Sequence, residues 1–487
     1  MINIHIKNSF SQLLNVDSKT ISLVRTTLTY QDDEVAKEIV NLFMQIKIAQ
    51  RKKLSYKIEF FRKKIEILKQ QETVCLLDQE NYFPTGLLFM VEEVLKNNKS
   101  KFEILDLRKK PKKSINYQWY SDLNLRYYQK ESIDLGLKYG RGVFELSIGS
   151  GKTLVMQQLV KELGVKALII VPAKNLKHQL MESFKDAFGS KQVMEITSDS
   201  VKTKKPIKNI RFATVQTLAS LQKQGLLEAV IWDIDFIGID EAHHSGADTY
   251  LNLLPYFDHV YYKFSFSGTY LRNDSKTMSL LGFCSNILYR YSPAKATSDG
   301  YLTPLEITVH EVEGKHARNY NTEYTQNYCK NIELLLKIKE IFEYQIAKDE
   351  QVLILVKQKD ASGKIIHEYL EELGIKNTFI SGDDKQKDVK NAIDNFNNRE
   401  IQVLIGSSVL GEGIDIKSTD HLIMCQGGKS EIAIVQALGR AVRLYPGKKI
   451  AKVHDFLFLN TKYLSDHLCE RLRIYEKNFE PKKIEII

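Results

Sequence analysis

The sequence has few cysteines and prolines and no long apolar run. Its 487 residues include five cysteines and nine prolines, and no two cysteines form a CxxC pair. Disulfide frameworks and zinc sites need regularly spaced cysteines, so we expect reduced thiols and neither kind of site. No segment has the length and polarity of a transmembrane helix, and the first residues lack the apolar stretch of a signal peptide. We therefore expect a cytoplasmic protein without membrane association.

Positive charge is in excess and is concentrated near the start of the chain. The net charge is +10, and residues 1–115 contain 21 Lys and Arg against 14 Asp and Glu. Such a surplus favours a polyanionic partner. Nucleic acid is favoured over a membrane surface because no strongly amphipathic basic helix is evident. A basic surface that serves only solubility is the alternative.

Residues 1–113 predict a small basic α+β domain. Apolar residues from Val35 to Ile46 recur at helical spacing, a strand is expected near residues 73–77, and a helix from Leu87 to Leu95. The stretch 51–64 mixes basic and aromatic residues, which suits contact with phosphates and stacking on bases. An equally good interpretation is a solvated helix with Phe60 and Phe61 in the core.

Beyond residue 118 the pattern changes to short apolar runs that alternate with helical segments. This alternation predicts βαβ units and parallel sheets, hence an α/β fold. Two sets of strands are separated by a polar stretch near residues 298–301, so we expect two lobes, 114–300 and 301–487. The predicted strands are Ala167–Val171, Ile210–Ala213, Phe236–Ile239 and Tyr262–Phe266, then Val352–Val356, Thr378–Ile380, Val403–Ile405, Leu422–Cys425 and Ala451–Phe456.

A glycine-rich turn at 147–153 follows a small apolar run at 142–146, which we expect to be a strand, and precedes a helical pattern. Gly149, Ser150 and Gly151 can present successive backbone N–H groups to phosphate oxygens. Lys152 would reach the β- and γ-phosphates, and the Thr153 hydroxyl would hold Mg²⁺. Leu146 occupies the place where the full phosphate-loop pattern has a small residue, so the match is incomplete. A solvated turn is the alternative.

An acidic pair follows another predicted strand. Asp240 at the carboxyl end of a strand is where the Mg²⁺ of a nucleotide is expected in an α/β lobe. Glu241 can orient and deprotonate the attacking water. An exposed acidic pair is the alternative, and His243 is better interpreted as a contact that couples the lobes than as a metal ligand.

Three further groups can act on the same nucleotide. Gln129 can both donate to and accept from an adenine edge, and Arg126 or an adjacent tyrosine can stack on the base. Arg440 and Arg443, three residues apart on an expected helix, can stabilise the charge of a phosphoryl transition state. Their alternative role is an ordinary surface salt bridge. The loop that contains Gly413 and Asp415 can approach both nucleotide and nucleic-acid backbone.

Taken in order, these motifs resemble those of a superfamily 2 helicase of the DEAH/DEAD type, over residues of about 120 to 460. The resemblance implies two tandem RecA-like lobes with ATP and Mg²⁺ as cofactors, and it adds Ser267, Thr269 and Gln436 as residues that couple the lobes. It also implies loops that grip nucleic-acid phosphates without reading sequence. Those loops would use Pro172, Lys174, Thr214, Gln216, Thr217, Ser381, Gly382, Ser407 and Ser408.

Within that class the chain is most similar to the phage UvsW-type helicases. The similarity rests on the basic N-terminal domain, the Ser267-Gly268-Thr269 variant, the stretch 300–304 and the ending at 467–472. It implies a 3′-to-5′ helicase that uses ATP to remodel branched DNA by fork regression, branch migration and unwinding of R- or D-loops. We also expect a monomer that binds branched, forked or single-stranded DNA and RNA–DNA hybrids, located in the host cytoplasm if the chain is viral. A double-strand translocase of the XPB or restriction-motor type, an RNA helicase and a non-catalytic scaffold are the alternatives.

Overall fold

The computed structural model describes residues 1–51, 54–120, 124–202, 206–241, 247–268, 275–407 and 416–487. The strands are β1 (Ile2–Ile6), β2 (Phe10–Leu14), β3 (Thr29–Gln31), β4 (Thr73–Cys75), β5 (Tyr82–Pro84), β6 (Phe102–Asp106), β7 (Arg141–Leu146), β8 (Ala167–Val171), β9 (Val193–Glu195), β10 (Ile210–Thr214), β11 (Phe236–Asp240), β12 (Tyr262–Ser267), β13 (Ile287–Tyr291), β14 (Leu305–Glu313), β15 (Val352–Val356), β16 (Asn377–Ile380), β17 (Val403–Gly406), β18 (His421–Cys425), β19 (Ala451–Leu459) and β20 (Lys483–Ile486).

The helices are α1 (Ser18–Thr27), α2 (Asp33–Arg51), α3 (Ser55–Gln71), α4 (Leu88–Asn97), α5 (Tyr127–Tyr139), α6 (Lys152–Leu163), α7 (Lys174–Phe188), α8 (Ser198–Lys202), α9 (Val215–Lys223), α10 (Glu228–Ile231), α11 (Ala247–Leu253), α12 (Ser275–Phe283), α13 (Pro293–Ser298), α14 (Tyr320–Tyr324), α15 (Ile332–Tyr344), α16 (Lys364–Glu372), α17 (Gln386–Asn397), α18 (Glu431–Ala441) and α19 (Tyr463–Phe479). None of those in the described ranges is long and apolar enough to cross a membrane.

The chain forms two compact units, and each contains a seven-stranded sheet. The first unit comprises Met1–Glu145 and Lys152–Arg290, and the second comprises Leu146–Gly151 and Tyr291–Ile487. The strand order is β13-β7-β12-β11-β8-β10-β9 in the first sheet and β16-β17-β15-β18-β19-β14-β20 in the second. Two sheets of this kind, each with crossover helices, are two RecA-like lobes, so the predicted fold class is confirmed.

The predicted strands are confirmed with small differences in their ends. Ala167–Val171 and Val352–Val356 have the predicted bounds, and both are completely or almost completely buried. Continuous apolar runs of this kind are typical of parallel strands that are covered on both faces. Four strands of the two large sheets were not predicted from the pattern, and they are β9, β13, β14 and β20.

The N-terminal part of the first unit is a four-stranded sheet, β5-β2-β1-β6, with α1 and α4 packed on it. Its β1–β2 turn is bound to the large sheet of the same unit. The Lys263 ammonium donates to Asn8 O and to Ser9 Oγ, at 3.0 Å each, and Ser9 N donates to Asp258 Oδ1 at 3.1 Å. Lys263 is fully buried, and burial holds the pKa of its ammonium well below the usual value.

Helices α2 and α3 pair with each other over a small apolar cluster of their own. Phe61 packs against this cluster, whereas Phe60 is 63% exposed. The two phenylalanine side chains therefore differ in burial. Phe61 has the core role that was one interpretation of the stretch 51–64, and Phe60 remains accessible to solvent.

Three histidines form a buried row across neighbouring strands of the second sheet. His421 donates from Nε2 to the Glu350 carboxylate at 2.9 Å, so its Nδ1 accepts from His454 Nε2 at 2.8 Å. His454 Nδ1 in turn accepts from His310 Nε2 at 3.0 Å. Each ring therefore carries its single proton on Nε2 and is neutral. Burial lowers the pKa of all three imidazoles.

Because these three histidines are buried and neutral, we expect the free energy of unfolding of the protein to fall in mild acid. Burial lowers the pKa of His310 to about 4, while an unfolded histidine titrates near 6.5. Between those values the unfolded chain binds a proton that the folded chain does not. The free energy of unfolding therefore falls as the pH drops through this window, by about 3 kcal/mol from His310 alone.

Urea unfolding at a series of pH values measures this loss. We expect a His310→Phe variant to show a flatter dependence on pH, and a variant of the exposed His178, His178→Phe, to match the parent. Equal slopes for the parent and His310→Phe would contradict the assignment of neutral, buried imidazoles.

Candidate nucleotide and nucleic-acid site

The phosphate loop lies between β7 and α6, as the sequence predicted. Gly149 and Gly151 have φ of 75° and 80°. These are left-handed conformations that glycine adopts without strain and that turn backbone N–H groups toward one point. Leu146, which departs from the usual pattern, is the last residue of β7 and is fully buried. The departure therefore falls in the strand and not in the glycine turn itself.

Lys152 and Glu241 form an ion pair. Lys152 is the first residue of α6, and its Nζ lies 2.7 Å from Glu241 Oε1. Both side chains are largely buried, at 15% and 16% exposure. Glu241 has φ of 46°, a strained value for a residue with a side chain. Its N–H donates to Phe266 O at 2.9 Å, which fixes this conformation at the end of β11.

The strand order of the first sheet places the predicted nucleotide residues and the predicted nucleic-acid residues at different positions along its carboxyl edge. The strands β7, β12 and β11 are neighbours and run parallel, so Lys152, Ser267 and Asp240 follow or end adjacent strands. The next strands along the sheet are β8, which precedes Pro172, and β10, which ends at Thr214. The predicted nucleotide residues and the predicted nucleic-acid residues therefore occupy neighbouring segments of the same carboxyl edge.

Gln129 and Arg126 lie at the start of α5. Gln129 is buried, and its side-chain Oε1 accepts from the Arg126 backbone N–H at 2.9 Å. The Arg126 Nη1 donates to the Tyr128 hydroxyl at 2.9 Å. Gln129 thus caps its own helix, a role that the sequence pattern did not reveal. Because Oε1 is held by this cap, the orientation of the amide Nε2 of Gln129 is fixed as well.

The predicted nucleic-acid residues of the first unit lie at helix starts. Lys174 is exposed at the first position of α7, and Pro172 precedes it. Thr214 caps α9 because its Oγ1 accepts from Thr217 N at 3.1 Å. Gln216 is exposed beside this cap. Hydroxyl and N–H groups at a helix start suit phosphate contact.

In the second unit, Ser381 and Ser407 follow β16 and β17 and are buried, while Gly382 is exposed. Ser381 N donates to Asp384 Oδ2 at 2.6 Å, which stabilises the turn after β16. Five predicted site residues lie outside the described ranges. They are His243, Thr269, Ser408, Gly413 and Asp415.

Helix α18 carries Gln436 and Arg440. A Cβ built on Gly439 would lie 2.2 Å from Ile148 Cδ1, so only glycine allows this helix to approach the phosphate-loop residue Ile148 so closely. Arg440 follows directly, and its Nη1 donates to Gln436 O at 2.9 Å. Gly439 thus permits close packing of α18 against Ile148 at the position next to Arg440.

Arg443 does not share the helix face of Arg440, which corrects the prediction. The helix ends at Ala441, and Arg443 lies in the following turn. Thr303 N donates to Val442 O at 2.7 Å, and Thr303 Oγ1 donates to Arg443 O at 3.2 Å. These bonds pull the chain away from the helical path. Burial lowers the pKa of Arg443 to about 10, which leaves the guanidinium protonated at neutral pH.

Lys448 holds the same turn from another side. Its ammonium donates to the carbonyls of Thr419 and Ala441, and it lies 3.4 Å from Arg443 O. Burial lowers the pKa of this ammonium to about 8. The partners of Lys448 are backbone carbonyls, which every residue type has. No pattern of side chains in the sequence therefore indicates its role, and Lys448 was not predicted.

Comparison with known families gives two matches in tandem. Residues 122–272 match the model of the type III restriction enzyme, res subunit, and residues 332–445 match the model of the helicase conserved C-terminal domain. Together the two matches span more than half of the chain.

Individual relatives agree with these matches. The chain is 26% identical over 366 residues to the putative ATP-dependent helicase IRC3 of Saccharomyces cerevisiae, covering 69% of this chain and 52% of the yeast protein. It thus spans about half the length of that relative. It is 23% identical over 448 residues to the ATP-dependent DNA helicase UvsW of Enterobacteria phage T4, covering 82% of this chain and 87% of the phage protein.

Solved structures share the fold. A fragment of a putative HsdR subunit of a type I restriction enzyme from Vibrio vulnificus aligns with a TM-score of 0.57 and 18% identity, over 76% of this chain and 69% of that one. The helicase domain of Hef from Pyrococcus furiosus aligns with a TM-score of 0.51 and 16% identity, over 71% and 98%.

The fold, the phosphate loop and the two family matches define an ATP-hydrolysing helicase of superfamily 2. Within this class the chain resembles UvsW, as the sequence predicted. Membership of the class implies ATP binding, and helicases of this class act on nucleic acids.

The contacts of Lys448 lead to a stability prediction. A Lys448→Met variant keeps the apolar stem but leaves the carbonyls of Thr419 and Ala441 without their ammonium donor, which costs about 1 to 3 kcal/mol. We expect a matching drop in the free energy of unfolding by urea. Lys449→Met is the matched control, since the exposed Lys449 is the next residue in the chain. Equal losses in the two variants would contradict the role of Lys448.

Proposed function

We propose that the protein is an ATP-dependent DNA helicase that remodels branched DNA by branch migration, fork regression and unwinding of R- and D-loops. Its roles would lie in recombination, repair and replication. The observation that carries the proposal is the Lys152–Glu241 pair at the phosphate loop, on the same edge as the loops at Lys174 and Gln216. Action on DNA is supported by similarity to the ATP-dependent DNA helicase UvsW, and the preference for branched DNA is the part of the proposal that the substrate comparison below tests.

In the ATP site, Gly149 to Gly151 would bind the phosphates through backbone N–H groups, and Lys152 would contact the β- and γ-phosphates. Asp240 and Thr153 fit Mg²⁺, which prefers oxygen ligands, because both belong to the carboxyl edge that bears the loop. The metal would neutralise charge on the phosphates. A phosphate at Lys152 competes with Glu241 for its ammonium, which frees the carboxylate to accept a proton from water.

Four residues would complete the site. Arg440 and Arg443 would stabilise the negative charge that spreads over the transferred phosphoryl group. The close approach of Gly439 to Ile148 supports this role for Arg440. Gln129 would recognise the adenine with the part of its amide that does not cap α5, and Arg126 would lie beside the base.

The nucleic-acid loops would contact phosphates and sugars, which permits movement along a strand without sequence preference. The exposed Lys174 and Gln216 would supply side-chain contacts, while Thr214 and Ser381 shape their turns. We extend the proposal to a monomer that moves in the 3′-to-5′ direction.

A double-strand translocase is the second candidate. It is favoured by 24% identity over 391 residues to the DNA 3′-5′ translocase XPB2 of Sulfurisphaera tokodaii, covering 72% of this chain and 84% of that protein. Such a motor moves on duplex DNA and has no need of a branch or a single strand.

Substitutions in the ATP site test the first part of the proposal. We expect Lys152→Ala to lose both ATP binding and DNA-stimulated hydrolysis, because the phosphates lose their cation. We expect Glu241→Gln to retain ATP binding and to lose hydrolysis by about 100-fold or more, because the general base is gone. Lys161→Ala on the same helix is the control. Turnover at the parent rate in either variant would overturn the assignment.

Comparison of DNA substrates tests the second part. In one assay, forked, four-way and linear duplex DNA are compared for stimulation of ATP hydrolysis and for strand separation. The helicase proposal predicts greater activity on forks and junctions. Equal stimulation by linear duplex without strand separation would favour the translocase, and activity that needs RNA in place of one strand would favour an RNA helicase.

A further inference from the structure

Two cationic side chains lie next to each other at the amino edge of the first large sheet. Arg141 is the first residue of β7, and its register partner on the neighbouring parallel strand β12 is Lys263. Register partners on parallel strands project from the same face of a sheet. The pair lies at the opposite end of these strands from the phosphate loop, so the residues assigned to nucleotide and nucleic acid are not part of it.

Both cations donate to one carbonyl oxygen. Arg141 Nη2 lies 2.6 Å from Asn8 O, and Lys263 Nζ lies 3.0 Å from the same atom. Asn8 belongs to the turn between β1 and β2, so the two side chains join the small N-terminal sheet to the large sheet. A carbonyl oxygen can accept hydrogen bonds from two donors, but it carries no full charge to offset them.

The pair is removed from water. Arg141 is 6% exposed, and Lys263 is fully buried. Burial, and then the charge of Arg108, lower the pKa of the Arg141 guanidinium to about 10, so Arg141 stays protonated at neutral pH. Removing a charge from water is unfavourable unless a counter-charge and hydrogen bonds replace the solvent.

The nearby aspartates do not supply that counter-charge. Arg108 occupies the carboxylate of Asp106, to which its Nε and Nη2 donate at 2.9 and 2.7 Å. Asp258 is exposed, and it accepts from the backbone of the β1–β2 turn at 3.1 Å. In the part of the chain that the structure describes, neither Arg141 nor Lys263 forms an ion pair with a carboxylate. The positive charge at this junction is therefore in excess.

Two donors of Arg141 also lack an acceptor. Its Nε and Nη1 are buried and have no hydrogen-bond partner among the described residues. A buried donor without an acceptor is unfavourable, and more so when it is charged. The neighbouring Phe283, whose ring centroid lies 5.6 Å from Lys263 Nζ, and Cys284 are buried members of the apolar core. Burial raises the pKa of the Cys284 thiol to about 12, so the thiol carries no negative charge.

We propose that Arg141 and Lys263 bind a small monovalent anion such as chloride at the junction of the N-terminal sheet and the large sheet. The anion would accept from Arg141 Nε and Nη1 and offset the excess charge. A water molecule in the same place would accept these hydrogen bonds but leave the charge. Arg141 needs such a partner even where Lys263 has lost its proton. The inference is independent of the proposed function, because it concerns how the N-terminal domain is attached to the first lobe.

Exchange of anions at constant sodium concentration tests the site. Urea unfolding is measured while chloride replaces the larger anion methanesulfonate. Tryptophan fluorescence follows the first unit, because Trp119 and Trp232 are the two tryptophans of the chain and both lie in it. Once chloride exceeds its dissociation constant, a single site raises the folding equilibrium constant about tenfold for each tenfold rise in chloride. A folding constant that is the same in both salts would overturn the proposal.

A charge-removing variant and its control assign the effect to Arg141. We expect Arg141→Gln to lose the dependence on chloride, because the cation that holds the anion is gone. Lys138→Gln is the matched control, since Lys138 is an exposed cation three residues earlier, and we expect it to keep the dependence of the parent. A chloride dependence that persists in Arg141→Gln would contradict the site.

Hydrogen exchange of the parent protein locates the effect without any substitution. We expect the amides of β1 and β2 to exchange more slowly in chloride than in methanesulfonate, because the anion stabilises the junction that holds their turn. Strand β15 of the second unit is the internal control, and we expect its exchange to be equal in the two salts. Equal slowing in β15 and in β1 and β2 would show a general effect of salt and would overturn the proposal.

Discussion

In each large sheet the chain returns through a crossover segment after a strand, so neighbouring strands run parallel and their carboxyl ends share one edge. This constraint places the phosphate loop, Asp240 and Ser267 on adjacent strands although they are far apart in sequence. It also places Pro172 and Thr214 further along the same edge.

The sequence predicted the parts of the fold that depend on neighbouring residues alone, such as buried strands and glycine turns. Continuous apolar runs identified β8 and β15 with their observed ends, and the two glycines of the phosphate loop adopt the left-handed conformations that the loop requires. Lys152 was predicted to contact the phosphates and Glu241 to activate the attacking water, and the structure brings Lys152 Nζ to 2.7 Å from Glu241 Oε1.

Features that depend on tertiary contacts were not predictable. Helical spacing placed Arg443 on α18, but the bonds from Thr303 and Lys448 to backbone carbonyls end the helix first. Strand β14 was not predicted although Leu305, Ile307 and Val309 alternate with polar residues. The core position of His310, which donates to His454, was not predictable from this alternation. Gln129 was expected to recognise adenine, and nothing in the sequence indicated that it also caps α5.

The central claim is that ATP hydrolysis at the Lys152–Glu241 pair drives separation of DNA strands. The most direct measurement follows hydrolysis and strand displacement together on one forked DNA, with ATP or with an analogue that cannot be hydrolysed. The account predicts displacement only with ATP, in proportion to the phosphate released. Displacement at the same rate with the analogue, or hydrolysis of ATP that DNA does not alter, would contradict it.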